Sequence, residues 1–164
     1  MHWKIRKIVS GGQTGADRAA LDFALEAGVE TGGFVPKGRL AEDGRIDEKY
    51  PNLIETETED YSERTLLNVI NSDATIILSH GELTGGSLFT KQCAEVHGKP
   101  FLHIDFDKLS IEEAAQKAAN WLNSLKCETL NVAGSRASKD PEIYEKTKNF
   151  LKMLIFGSPT QQKY

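Results

Sequence analysis

The chain has 164 residues, 39% of them hydrophobic and 27% charged, with a formal net charge of -4. That is the balance of a soluble globular protein of about one domain, so a single domain over residues 1–164 is expected. An acidic chain whose Lys and Arg are scattered argues against a nucleic-acid or anionic-membrane surface, and no apolar run approaches the ~20 residues that span a bilayer. The start, Met1, His2, Trp3, Lys4, lacks a signal-peptide core, which points to the cytoplasm. Cys93 and Cys127 are too few and too poorly spaced for a disulfide framework or a zinc site, and are read as reduced and structural.

Taken in order, short apolar runs alternate with amphipathic stretches, the pattern of βαβ units and a mostly parallel sheet. Ile5 to Val9 reads as a strand, Ser10 to Gly15 as a glycine turn, and Ala19 to Leu25 continues with helical spacing. Glu30 to Val35 makes a second strand, and Pro36 to Pro51 a long irregular loop. Leu53 to Thr56 is an edge strand, Asp60 to Asn71 a helix, and Ala74 to Leu78 the clearest buried strand. A second glycine turn, Gly81 to Gly86, opens a helix from Ser87 to His97. Pro100 to Ile104 is a strand, Ile111 to Leu125 a helix, Leu130 to Ala133 the last strand, and a final helix starts at Asp140 or Pro141. The tail after Gly157 is expected to fray.

Where a strand feeds a helix through glycines, the backbone can approach a ligand and the free N–H groups of the first helical turn face it, which suits a phosphate. Gly11, Gly12, Gln13, Thr14 and Gly15 form one such turn; Thr84, Gly85, Gly86 and Ser87 form another. If the strands take the common order 3-2-1-4-5-6, the two turns open side by side at one carboxyl edge. The first turn is neither G-x-G-x-x-G nor a G-K-[ST] P-loop, so nucleoside-triphosphate hydrolysis is disfavoured.

Asp17 either complements the helix dipole or accepts from a ligand hydroxyl or amine, and Arg18 is either solvated or an anion clamp. Lys37, Arg39 and Arg136 are further cationic candidates, each with an ordinary reading as a charged loop residue. His2, His80, His97 and His103 lack metal-ligand spacing, so no protein-ligated metal is expected. No residue pattern names a reaction.

The segments SGGQTGADR (Ser10 to Arg18), PKGRLAEDG (Pro36 to Gly44), YSERTLLNVINSD (Tyr61 to Asp73), TGGSLFT (Thr84 to Thr90), KPFLHID (Lys99 to Asp105) and LNVAGSRASK (Leu130 to Lys139) resemble the "putative molybdenum carrier", or molybdenum cofactor carrier, family. That family sits in a Rossmann-like superfamily with the LOG (lysine-decarboxylase-like) and DprA proteins. The resemblance implies a Rossmann-like three-layer α/β sandwich, a homo-oligomer, and binding of molybdenum cofactor (molybdopterin), a phosphorylated pterin whose own sulfurs hold the metal. It implies that Gly11 to Gly15 hold the phosphate end, with Gly85, Gly86 and Ser87 opposite and Lys37, Arg39 and Arg136 outside, and that molybdoenzymes receive the cargo. The rivals are a LOG-like nucleoside-monophosphate phosphoribohydrolase and a nucleotide sensor. LOG proteins carry P-G-G-x-G-T-x-x-E, whereas this chain reads Thr84 to Gln92 there, without the proline, third glycine or glutamate. Catalysis would then need Asp17 or Glu42 as a substitute.

Overall fold

The computed structural model describes residues 4–157. Met1 to Trp3, part of the stretch read for a signal peptide, and the tail after Gly157 lie outside the described residues. No helix among them is long and apolar enough to cross a membrane.

Six strands form one parallel sheet: β1 (Lys7–Val9), β2 (Glu30–Val35), β5 (Leu53–Glu55), β6 (Ala74–Ser79), β7 (Phe101–Asp105) and β8 (Thr129–Gly134). Helices α1 (Ala16–Ala27), α4 (Ile111–Leu125) and α5 (Ile143–Phe156) pack together, and α2 (Tyr61–Ile70) packs with α3 (Gly85–Val96). The strands after α1 and α3 step in opposite directions along the sheet, so crossovers of one hand put these helices on opposite faces. This is the three-layer Rossmann-like arrangement that the resemblance implies, built on the parallel sheet that the alternating pattern predicts.

The strand order is β5-β2-β1-β8-β6-β7, not 3-2-1-4-5-6. The last strand inserts between the first and the fourth, with Ile8 beside Leu130 and Ile76 beside Val132. The short apolar run of β8 marks it as buried, and nothing in that run names its neighbours. Counted from β8, the sheet reads 4-3-2-1-5-6, and its switch point falls between β8 and β6.

The main core lies between the sheet and α1, α4 and α5, around Ile8, Phe23, Ile76, Leu122, Leu130 and Phe150. α4 begins with a capping box in which Ser110 and Glu113 bond each other's backbone N–H. The segment 36–51 is more ordered than an irregular loop. It holds the hairpin β3 (Leu40–Ala41) with β4 (Gly44–Arg45) and buries Ile46 and Tyr50 against Leu21 and Val35. α3 starts two residues earlier than its apolar spacing suggests, and α5 starts at Ile143, because residues 140–142 form a turn held by Asp140 Oδ1 accepting from Glu142 N.

Candidate functional site

A pocket of about 420 Å³ opens at the carboxyl edge where β1, β8 and β6 end. Gly11 and Asp17 line it from the first turn, Tyr61, Arg64 and Thr65 from α2, Thr84 to Ser87 from α3, and Arg136 and Lys139 from the β8–α5 loop. Asn131 and Ala133 of β8 form its floor; the Asn131 amide donates to Thr75 Oγ1 at 3.2 Å.

The two glycine turns do different work. At the first, the protein fills its own donor sites. Ala16 N donates to Ser135 O (3.1 Å), Thr14 N to Gln13 Oε1 (3.0 Å) and Gln13 N to the Asp17 carboxylate (3.3 Å). Gly15, at φ +81°, passes so close to the β8–α5 loop that a Cβ would lie 2.3 Å from Ser135 O. Inserting β8 beside β1 thus brings the next loop onto this turn.

At the second turn, Thr84 is the N-cap of α3 but its side chain makes no capping bond. Thr84, Gly85, Gly86 and Ser87 at the start of α3 line the pocket, and the Lys139 ammonium stands beside them, hydrogen-bonded to the Thr84 hydroxyl. The loop before α3 is held from several sides. Gly81 N donates to Asp105 Oδ1 (2.7 Å), the Ser79 hydroxyl donates to Gly81 O (2.7 Å), and His80 Nδ1 pairs with Asp140 Oδ2 at 2.6 Å.

Of the sequence candidates, Gly11, Gln13, Asp17, Thr84, Gly85, Gly86, Ser87 and Arg136 line the pocket; Gly12, Thr14, Gly15, Arg18, Lys37 and Arg39 do not. Gly12 faces Ile46 and Val35. The Thr14 hydroxyl bonds Glu42 and accepts from Ala137 N (3.1 Å). Arg18 forks onto Asp43 and the Gly12 carbonyl, tying the 36–51 segment to the turn. Arg39 is buried, donating to the Ile46 and Asp47 carbonyls, while Lys37 is exposed and its backbone N–H bonds Thr58 O. Glu42 accepts from Ser138 and Thr14, which holds its carboxyl below the usual range.

Asp17 is only 6% exposed, and burial pushes its carboxyl up to about 6 although Arg64, Arg18 and the N–H groups of Gln13 and Gly11 favour the charged form. Arg64 and Lys139 are pocket residues that the spacing arguments missed. Both lie within the segments that carry the family resemblance, but a lone cation in a helix or loop has no periodic signal. Arg64 stacks on the Tyr61 ring with its centre 5.1 Å from the centroid. Its Nε is buried without a hydrogen-bond partner among the described residues.

His103 Nε2 lies 2.7 Å from the Ser79 hydroxyl, and burial pulls its pKa down. Burial also pushes the thiols of Cys93 and Cys127 up, the latter to about 12, which keeps both protonated and unreactive near neutral pH. Among the described residues, His80, Asp140 and Glu142 each place one potential ligand atom within 4.8 Å of the others.

A family model described as "Circularly permutated YpsA SLOG family" matches residues 8–155. The chain is also similar to the crystal structure, at 1.45 Å resolution, of a protein from Syntrophus aciditrophicus SB named "Putative molybdenum carrier protein". The two are 55% identical, with a TM-score of 0.92 over 93% of this chain and 96% of that one. No curated protein matches the chain.

Proposed function

The chain belongs to the circularly permutated YpsA SLOG family, and from that premise we propose that it binds and carries a phosphorylated heterocycle, with molybdenum cofactor as the cargo. The observation that carries this reading is the start of α3. A helix N-terminus with no side-chain cap, glycines at its first two positions and Lys139 beside it faces a pocket that also holds Arg64 and Arg136. Free N–H groups, the helix dipole and a nearby ammonium all favour a dianionic phosphate. The pocket volume lies in the range of small-molecule sites. The name of the 55%-identical protein supports the choice of cargo. The cofactor's sulfurs hold its metal, so the protein's task is to grip the phosphate and pterin. Gln92 stands where LOG proteins carry their glutamate, which favours binding over turnover.

Native mass spectrometry tests the proposal on protein purified without oxygen, from one host that makes the cofactor and one that does not. A bound cofactor mass in the first preparation alone supports the carrier role, and the same spectrum reads the proposed homo-oligomer. A nucleotide mass in both preparations would replace it with the nucleotide-sensing reading. Steady release of free base from a nucleoside monophosphate would replace it with the hydrolase reading. Lys139→Ala should weaken inorganic phosphate binding about tenfold or more in calorimetry, since charge-assisted hydrogen bonds contribute roughly 1.5–3 kcal/mol. Unchanged phosphate affinity would move the anion site elsewhere.

A further inference from the structure

The pocket has a second end, away from the start of α3. β1 and β6 both pair with β8, so the turn after β1 and the turn before α3 stand about two strand spacings, roughly 10 Å, apart. A phosphate held at α3 therefore leaves the rest of its ligand lying toward Gly11, Asp17 and Arg64.

These three residues form a compact unit. Asp17 is almost fully buried yet lines the pocket, and backbone N–H groups of Gln13 and Gly11 occupy part of its carboxyl. A carboxylate offers about four acceptor sites, so about two stay available. Arg64 spends Nη1 on the Tyr61 carbonyl (3.2 Å) and the Thr65 hydroxyl, while its Nε is buried with no acceptor among the described residues. The guanidinium packs against Gly11 so closely that a Cβ there would lie 2.5 Å from Nε. Acceptor and donor thus meet at one backbone unit, and a buried donor without an acceptor is a costly arrangement for the protein alone. Nη2, which bonds no described residue, is the guanidinium donor left for a ligand in the pocket.

Resting on the reading of α3 as the phosphate end, we infer that Asp17 and Arg64 read the 2-amino-4-oxopyrimidine edge common to guanine and pterins. Such an edge presents two adjacent N–H donors and then a carbonyl oxygen. The carboxylate accepts from the ring N–H and the amino group, and the guanidinium donates to the carbonyl. Adenine offers the carboxylate a lone pair beside its amino group, and it has no carbonyl for Arg64. A site built to satisfy particular ligand N–H groups rejects analogues lacking them strongly, because its own buried groups are then left unpaired.

Calorimetry with GMP, IMP, AMP, neopterin monophosphate and inorganic phosphate tests this on the full chain. GMP or neopterin monophosphate should bind at least a hundredfold more tightly than AMP, and IMP, which lacks only the amino group, should fall between GMP and AMP. The tighter of the first two identifies the ring system. Asp17→Asn should bring the preferred ligand to within tenfold of AMP while leaving inorganic phosphate affinity unchanged, which shows that the variant is folded. Arg64→Lys, which keeps the charge but loses the fork, should narrow the preference over AMP. Equal affinities for GMP, neopterin monophosphate and AMP, all weakened by Lys139→Ala, would overturn the edge reading and leave the phosphate site standing. Failure of every compound, inorganic phosphate included, to bind would overturn both.

Discussion

Single residues in the first glycine turn divide into those that pack under the hairpin and those that line the pocket. Gly12 has φ +73°, and a Cβ on it would lie 2.7 Å from Ile46 Cδ1, on the side of the small cluster under the hairpin. Gly12→Val should therefore cost about 2–4 kcal/mol from backbone strain and overpacking. The fraction that folds should keep its phosphate affinity. Urea unfolding followed by calorimetry checks both, and a stable variant that no longer binds phosphate would put Gly12 in the site after all. Asp17 behaves in the opposite way. Its carboxyl sits at about 6 in the fold against 3.8 in the unfolded chain, so the folded state binds this proton more tightly. The resulting stabilisation is fully present below about pH 3.8 and is lost as pH rises through 6, at most about 3 kcal/mol. Asp17→Asn should then be more stable than the parent at pH 7.5 and close to it near pH 4. A less stable Asn variant at pH 7.5 would mean that the ionised carboxylate is a net structural asset, not a cost retained for a ligand.

At the scale of elements, α3 and α4 differ in how they are capped, and the proposed phosphate site rests on that difference. α4 opens on a reciprocal Ser110–Glu113 box; α3 opens on Thr84, whose side chain bonds Lys139 instead of the helix. Ser/Thr capping normally contributes about 1 kcal/mol, and α3 forgoes it. A Cβ on Gly86 would meet nothing within 4 Å, so Gly86→Val should fold with little change in melting temperature. Its branched side chain at the mouth of α3 should nonetheless weaken phosphate binding at least tenfold. Parent-like phosphate affinity in that variant would show that the anion does not approach the α3 amides. The glycines of this turn were visible in the sequence. The absence of a side-chain cap was not, because it depends on where Lys139, 55 residues away, comes to rest.

At the scale of the molecule, the insertion of β8 between β1 and β6 decides where everything else falls. It separates the two glycine turns, sends Ser135 onto the first and leaves the second open, and carries Arg136 and Lys139 to the pocket rim. It also makes β8 and α5 a unit that could equally precede β1. A circular permutant opened after Lys126, with a flexible Gly/Ser linker joining residue 157 to residue 4, should fold and bind phosphate as the parent does, because its sheet would carry the same neighbours. Circular dichroism melting and calorimetry check this. Failure to fold would show that the backbone bonds from Arg6 N and Lys7 N to Glu128 O depend on the α4–β8 connection that the cut removes.

Local chemistry determined the alternation of strands and helices, the two glycine turns, the parallel sheet and the candidate cations, because hydrophobic period, glycine placement and charge are properties of neighbours in the chain. Only the tertiary structure decided which strands touch, which glycine turn remains open and which cations reach it. Arg39 and Arg18 resemble Arg64 and Lys139 in composition, yet the first pair is spent on carbonyls and Asp43 while the second faces the pocket. That division depends on contacts between segments far apart in the chain, and the order of strands in a sheet leaves no trace in the pattern of any single strand.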